Sequence, residues 1–249
     1  MKINRLTIIP ILMGTLLGGC KEDKVEVTSV NSDNFTIRVD EKKTSLIIGS
    51  DSNFKNSNKK LISNNFPELS NIYTYSWFLN EAKGNTFDKI HSEKTDTKLG
   101  LESDNSGLCF LKYTFFIKND DDSDVMYNMN IQLNKHSLLF KKESDEIEYL
   151  RLMVFEDDKS PVVYAHRSKT RYDATNEIYK EYISGPEGTT NYFGEAELFE
   201  SDTLLATVSN NLKSGESKMY TLLFWLEGAD DDLKEVPDNT FLNIDVNIC

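Results

Sequence analysis

The sequence predicts an all-β protein, an antiparallel β-sandwich of jelly-roll or immunoglobulin-like type with at most one or two short helices. Three observations lead there. Apolar and polar residues alternate with a period of two, most clearly where Tyr127, Met129, Ile131 and Leu133 interleave with Asn128, Asn130, Gln132 and Asn134. Turn-forming clusters such as Asn31-Ser32-Asp33-Asn34 and Asn210-Asn211 divide the chain at strand-like intervals. Apolar residues at helical spacing are scarce, and strands without helices must bury their apolar faces against one another.

The chain opens on a leader. Lys2 and Arg5 precede an apolar run from Leu6 to Leu17, the layout of a secretory signal peptide. At about 1.5 Å per residue the run reaches only ~18 Å, too short for a ~30 Å hydrocarbon core. Leu17-Gly18-Gly19-Cys20 resembles the bacterial lipobox, in which the cysteine is lipidated after cleavage. The resemblance implies a signal peptide over residues 1–19 and a lipidated tether over 20–30 starting at Cys20, which leaves residues 31–249 as the β-sandwich ectodomain that the strand pattern predicts. Lys21-Glu22-Asp23 after the anchor is similar to the lysine-plus-two-acids signal that sends some Bacteroidetes lipoproteins to the cell surface. Membrane contact through an N-terminal lipid is therefore expected, with exposure at the cell surface.

The body then reads strand by strand. Val25 to Val30, Phe35 to Val39 and Ser45 to Ile48 are short candidates, and Phe35, Ile37 and Val39 alternate with Thr36 and Arg38 as a half-buried strand should. Ser50 to Asn65, rich in Ser, Asn and Lys, reads as a loop. Ile72 to Leu79 is an aromatic strand, and Glu81 to Ser106 has little periodicity. Leu108 to Ile117 is nearly all apolar, as in a strand buried on both faces. With the alternating segment after the turn at Lys118 to Asp124, it predicts an antiparallel pair. Tyr149 to Phe155 puts Leu150, Leu152 and Val154 on one face, and Pro161 to Ala165 is a short companion. Tyr172 to Ile183, apolar at Ile178, Tyr179, Tyr182 and Ile183, predicts one short helix stopped by Gly185-Pro186. Leu204 to Val208, Lys218 to Leu226 and Phe241 to Ile248 close the chain, and the last, with Leu242, Ile244, Val246 and Ile248 on one face, belongs inside a sheet.

Composition narrows the partners. The 249 residues carry a formal charge of -13, and removing Lys2 and Arg5 with the leader makes it -15. Nucleic acid and a polybasic membrane contact are disfavoured, because both need clustered cations. Beyond Cys20 only Cys109 and Cys249 remain. In an oxidising exterior they could pair, closing a loop with a chain-entropy contribution of about 5 kcal/mol; the alternative is two separate thiols, with Cys109 packed as a small hydrophobe.

Several blocks carry a family resemblance over about residues 108 to 249. Phe115-Phe116-Ile117-Lys118-Asn119 with Tyr127, Leu150 to Phe155, Phe199-Glu200-Ser201-Asp202 and Tyr220 through Trp225-Leu226-Glu227-Gly228 resemble, in order and spacing, the exported sandwich proteins of the camelysin and TasA type. The resemblance implies a strand-rich sandwich and, on the TasA side, matrix fibres built by donating an N-terminal strand to a neighbour. On the camelysin side it implies zinc-dependent proteolysis, which normally needs closely spaced histidines and a carboxylate base. The chain has only His91, His136 and His166, without a His-Glu-x-x-His motif.

Candidate chemistry is sparse. Asp120-Asp121-Asp122-Ser123-Asp124 and Asp230-Asp231-Asp232 place carboxylates close enough to interest a hard cation such as calcium, with Asp120, Asp122, Asp124, Asp230 and Asp232 as candidate ligands. The helix-loop-helix calcium motif would need glycine at Val125 and glutamate at Ile131, so the bland reading is a solvated hairpin turn. No Gly-x-Ser-x-Gly elbow and no phosphate-binding glycine loop occurs. Trp77 and Trp225 could offer a carbohydrate platform or simply fill a core. The expectation is a non-enzymatic surface protein without a resident cofactor, in adhesion or extracellular-matrix assembly, with matrix protein, glycan or self-association as partners. A glycan- or calcium-binding lipoprotein and a hydrolase with an unrecognised site are the alternatives.

Overall fold

A computed structural model describes residues 35–43, 45–63, 110–134, 149–157, 159–166, 172–173, 178–184, 190–227 and 242–249, with backbone only for 172–173, 178–184 and 190–195. The sequence readings at Val25 to Val30, Ile72 to Leu79 and Glu81 to Ser106 lie outside the described residues.

Alternation is the local cause of the fold. Strand β5 (Val125–Leu133) buries Tyr127, Met129, Ile131 and Leu133, while the side chains between them reach the opposite face. Strands β11 (Leu204–Leu212), β13 (Ile244–Ile248), β1 (Phe35–Val39) and β3 (Lys60–Ser63) join it in a five-stranded sheet of order β11-β5-β13-β1-β3. The second sheet has eight strands, β2 (Leu46–Gly49), β4 (Phe110–Asn119), β12 (Ser217–Leu226), β6 (Leu150–Glu156), β7 (Val162–Ala165), β10 (Thr190–Leu198), β9 (Ile178–Ser184) and β8 (Tyr172–Asp173), in that order. One hydrophobic core spans both inner faces, joining Ile131, Val246 and Ile37 with Phe115, Leu222 and Leu152. The predicted all-β sandwich is thus the architecture, and C-terminal β13 lies inside the first sheet between β5 and β1.

The eight-stranded sheet is buried on its other face too. Phe110, Met153, Phe155, Val163, Leu223 and Trp225 form a second apolar cluster there. This explains the nearly continuous apolar runs in β4, β6 and β12, since a strand with two buried faces has no solvated side to mark.

Four readings are corrected. The helix over Tyr172 to Ile183 is instead β8 and β9, antiparallel to each other, with β9 also antiparallel to β10. Apolar residues at 178, 179, 182 and 183 satisfy a helical period, but β-branched and aromatic residues suit a pleated surface when strands stand on both sides. The loop over Ser50 to Asn65 contains β3, whose Leu61 and Ile62 gain a partner only from β1. The predicted β4–β5 pair does not form: β4 pairs with β2 and β12, and β5 with β11 and β13. The 120–124 turn therefore arches from one sheet to the other, and an arch produces the same side-chain alternation as a hairpin. Finally, the sheets are not purely antiparallel, because β1 runs parallel to β13 and β7 parallel to β10.

The inner face sets stability. Replacing fully buried Ile131 by Ala should cost about 2–5 kcal/mol. On the same strand Met126, 74% exposed, should tolerate Ala within about 0.5 kcal/mol. Denaturant unfolding of both variants checks this, and equal losses would contradict the assigned faces.

Candidate functional site

The acidic turn is the first place to test, because it held the sequence-based metal candidates. Asn119, completely buried at the end of β4, organises it. Its Nδ2 donates to the carbonyls of Ser123 (2.6 Å) and Leu212 (3.2 Å), and its Oδ1 accepts from the Asp121 N–H at 3.2 Å. Its backbone pairs with the neighbouring 213–216 arch, where Asn119 N donates to Glu216 O and Gly215 N to Asn119 O. Gly215 takes φ +71°, a left-handed conformation open to glycine. Ser214 closes the junction, its N–H on Asp124 Oδ1 and its hydroxyl on Asp121 O.

Two arches, β4 to β5 and β11 to β12, are thus tied together at one end of the sandwich. The carboxylates serve that geometry: Asp120 pairs with Lys118 at 2.7 Å, Asp121 accepts from the Asp122 N–H, and Asp124 accepts from Ser214. Among the described residues no group of three or more His, Cys, Asp or Glu side chains is placed to hold a metal ion. Asp230 and Asp232 lie outside the described residues, as do Cys20 and Cys109, and with Cys109 its pairing with Cys249.

Beneath the arches a polar network crosses between the sheets. Tyr127 of β5 and Tyr220 of β12 meet hydroxyl to hydroxyl at 2.7 Å. Asn210 of β11 donates one N–H to Tyr220 Oη (2.9 Å) and the other to Glu156 Oε1 (2.6 Å), while its Oδ1 accepts from Lys218 Nζ (2.6 Å). Lys218 and Lys159 both reach Glu156 Oε1, at 2.8 and 2.6 Å. Burial pushes both tyrosines well above the ordinary phenol range, so they are neutral hydrogen-bonding groups. Burial also opposes the charge on Glu156, yet hydrogen bonds from Lys159, Lys218 and Asn210 prevail and hold its carboxyl below the ordinary 4.5.

Trp225 is fully buried on the outer face of the eight-stranded sheet, with its indole N–H on the buried Glu227 carboxylate at 2.9 Å. It fills a core and offers no sugar platform; Trp77 lies outside the described residues. His166 Nε2 meets Asp202 Oδ1 at 3.1 Å and its buried Nδ1 has no partner among the described residues, but neighbouring Ser201 engages its hydroxyl with the backbone N–H groups of Thr203 and Leu204. His91 and His136 lie outside the described residues.

What remains is a surface that sequence reasoning saw only as polar spacers. On the outer face of the five-stranded sheet the register aligns Arg38, Asn247, Asn130 and Thr207 in one row across β1, β13, β5 and β11. Thr207 donates to Asn130 Oδ1 (3.2 Å), Ser209 to Asn128 Oδ1 (2.8 Å), Asn247 to Gln132 Oε1 (3.1 Å) and Asn134 to Asp245 Oδ2 (2.8 Å). Arg38 approaches Asp245 at 3.5 Å, and Asn130 Nδ2 lies 3.8 Å from Cys249 Sγ. The result is a laddered amide and hydroxyl face with little net charge in a chain of formal charge -13. Sequence could have found it only by knowing which strands are neighbours.

No family model matches the chain, and neither a curated protein nor a solved structure matches it.

The arch junction and the network each generate an expectation. Asn119→Ala leaves the buried Leu212 carbonyl without its side-chain donor and should cost about 1–3 kcal/mol. Asn119→Asp, which aims an oxygen at two carbonyls, should cost at least as much; a neutral Asp variant in thermal melts would count against the junction. Glu156, with its folded-state pKa depressed, adds stability that is present above pH 4.5 and drains away as pH falls through the lower folded value. Glu156→Gln should therefore melt lower at neutral pH and lose less on acidification than the parent. A parallel acid profile for the two proteins would refute that account.

Proposed function

We propose that this chain is a lipid-anchored β-sandwich that works at the cell surface by contact, in adhesion or extracellular-matrix assembly, rather than by catalysis. The observation that carries the reading is the outer face of the five-stranded sheet. Its amides and hydroxyls hold one another in fixed positions across the strands while the face itself stays near neutral. An even sheet face of pre-positioned donors and acceptors suits repeated polar contact with another polymer, since little side-chain entropy is lost on binding. The Leu17-Gly18-Gly19-Cys20 block, read as a lipobox, would hold this face at a membrane surface, and the resemblance to camelysin and TasA-type proteins supports export to a matrix setting, though those proteins are released where this chain would be anchored.

The same face favours a glycan as a second reading. Asn, Gln, Thr and Arg side chains supply both donors and acceptors, the complement a sugar hydroxyl needs.

Cells provide the test. Cys20→Ala should move the protein from the membrane to the soluble fraction. A double change of Asn130 and Asn247 to Lys should reduce surface adhesion or matrix retention to the level of cells lacking the protein, with the amount of anchored protein unchanged. Adhesion that survives loss of the whole protein would overturn the proposal, as would turnover of a defined substrate by the purified chain. Binding of the purified chain to immobilised glycans, lost in the Asn130/Asn247 variant, would select the glycan reading.

A further inference from the structure

We infer that the free edge of β11 is a self-association site, at which a second copy of this chain adds its own β11 antiparallel across a two-fold axis. The inference rests on the contact reading above for its biological role; the pairing itself is a property of the edge.

Backbone direction comes first. Asn128 exchanges both backbone hydrogen bonds with Cys249, so its N–H and C=O point toward the β13 side of β5, while Leu133 N donates to Thr203 O on the β11 side. Odd-numbered residues of β5 therefore bond to β11, and the residues opposite its even positions do not. Between Leu204 and Asn211, which lie opposite Gln132 and Met126 at the ends, those are Thr207, opposite Asn130, and Ser209, opposite Asn128. Their N–H and C=O groups point outward, and among the described residues no strand lies on that side. The open segment has defined ends. A register shift at Leu205 interrupts it on one side, and on the other the Asn211 N–H is taken by Asn210 Oδ1 at 3.0 Å.

The remaining edges are protected in the ways natural sheets use. Among the described residues β3 begins with Lys60 and runs for four residues, and β8 for two. Strand β2 is covered, because Ile48 bridges to Asn58 and the Lys59 ammonium caps the Leu46 carbonyl. Strand β11 has nine residues, and between its register shift at Leu205 and the capped Asn211 N–H the described residues show none of these devices.

Charge selects the occupant. From Leu204 to Leu212 the strand reads Leu-Leu-Ala-Thr-Val-Ser-Asn-Asn-Leu, with no ionisable side chain in a chain of formal charge -13. Pairing about a two-fold axis sets each strand against its own sequence, where like charges directly opposite are destabilising. A charge-free edge meets its own copy without that repulsion. The outward groups also determine the register. Placing Val208 on the axis sets Thr207 opposite Ser209 of the second copy, and Ser209 opposite its Thr207, each pair exchanging two backbone hydrogen bonds. Thr207 and Ser209 already lie on the amide face, so pairing would carry that face across the axis into one continuous sheet. A contact this short is weak in solution and gains from the high effective concentration of chains tethered in one membrane.

The test uses the full chain in detergent, followed by analytical ultracentrifugation over a concentration series. The parent should show a reversible monomer–dimer equilibrium. Ser209→Pro removes one outward N–H without touching the β11–β5 ladder, an arrangement edge strands accept, and should weaken dimerisation tenfold or more with the melting temperature little changed. The pair Thr207→Lys with Ser209→Lys should be monomeric. Mixing it with the chain carrying Thr207→Glu and Ser209→Glu should restore a dimer, which misfolded proteins would not do. A parent that stays monomeric at every concentration, or a dimer indifferent to these changes, overturns the inference and leaves the adhesion assay on cells to decide the wider reading. A dimer lost in the Lys pair and restored by the mixture upholds the edge, whatever the adhesion assay returns.

Discussion

The contact on which the rest of the architecture depends is the buried junction at Asn119. Two chain segments leave one sheet and enter the other at the same end of the sandwich, and the strand ends they leave from, Asn119 and Leu212, are buried and carry backbone polar groups that need partners. Asn119 answers both crossings with one side chain, donating to Ser123 O and Leu212 O and accepting from Asp121 N. Once that end is tied, β4 and β12 run side by side in one sheet while β5 and β11 do so in the other. The inner apolar residues of all four strands then face each other across the core.

The Tyr127–Tyr220–Asn210–Glu156–Lys218 network is the next layer inward and does a related task. Dispersion and area burial hold two apolar faces together without strongly preferring one lateral offset. Hydrogen bonds of 2.6–2.9 Å between named groups on opposite sheets do prefer one. Because the ammonium groups of Lys159 and Lys218 converge on Glu156, its carboxylate is paired and not buried as a lone ion. Rigid placement of β11 follows, and the outer face and the free edge both rely on it.

Much of the candidate surface was visible as chemistry but not as a place. Asn128, Asn130, Gln132, Asp245 and Asn247 were legible as the solvent side of alternating strands, since period two needs no knowledge of neighbours. That Asn130 sits between Asn247 and Thr207, residues far along the chain, follows only from sheet order. The acidic turn shows the reverse case. Its composition drew attention to calcium, whereas the carboxylates of Asp120, Asp121 and Asp124 find partners in Lys118 and in N–H groups of the two arches. Trp225 drew attention to sugars and lies buried against Glu227.

By itself the sequence determined the all-β class, the inward residues of β1, β5 and β13, and the double burial of β4, because alternation and its loss are local consequences of the pleat. Tertiary structure alone decided that the 120–124 turn is an arch and not a hairpin, that 178–184 is a strand, that β1 runs parallel to β13, and that β11 is an edge among the described residues. The physical reason is common to all four. A strand acquires its hydrogen bonds from another segment, so which segment supplies them, and on which side none does, is settled by packing across the whole chain and leaves no periodicity behind to read.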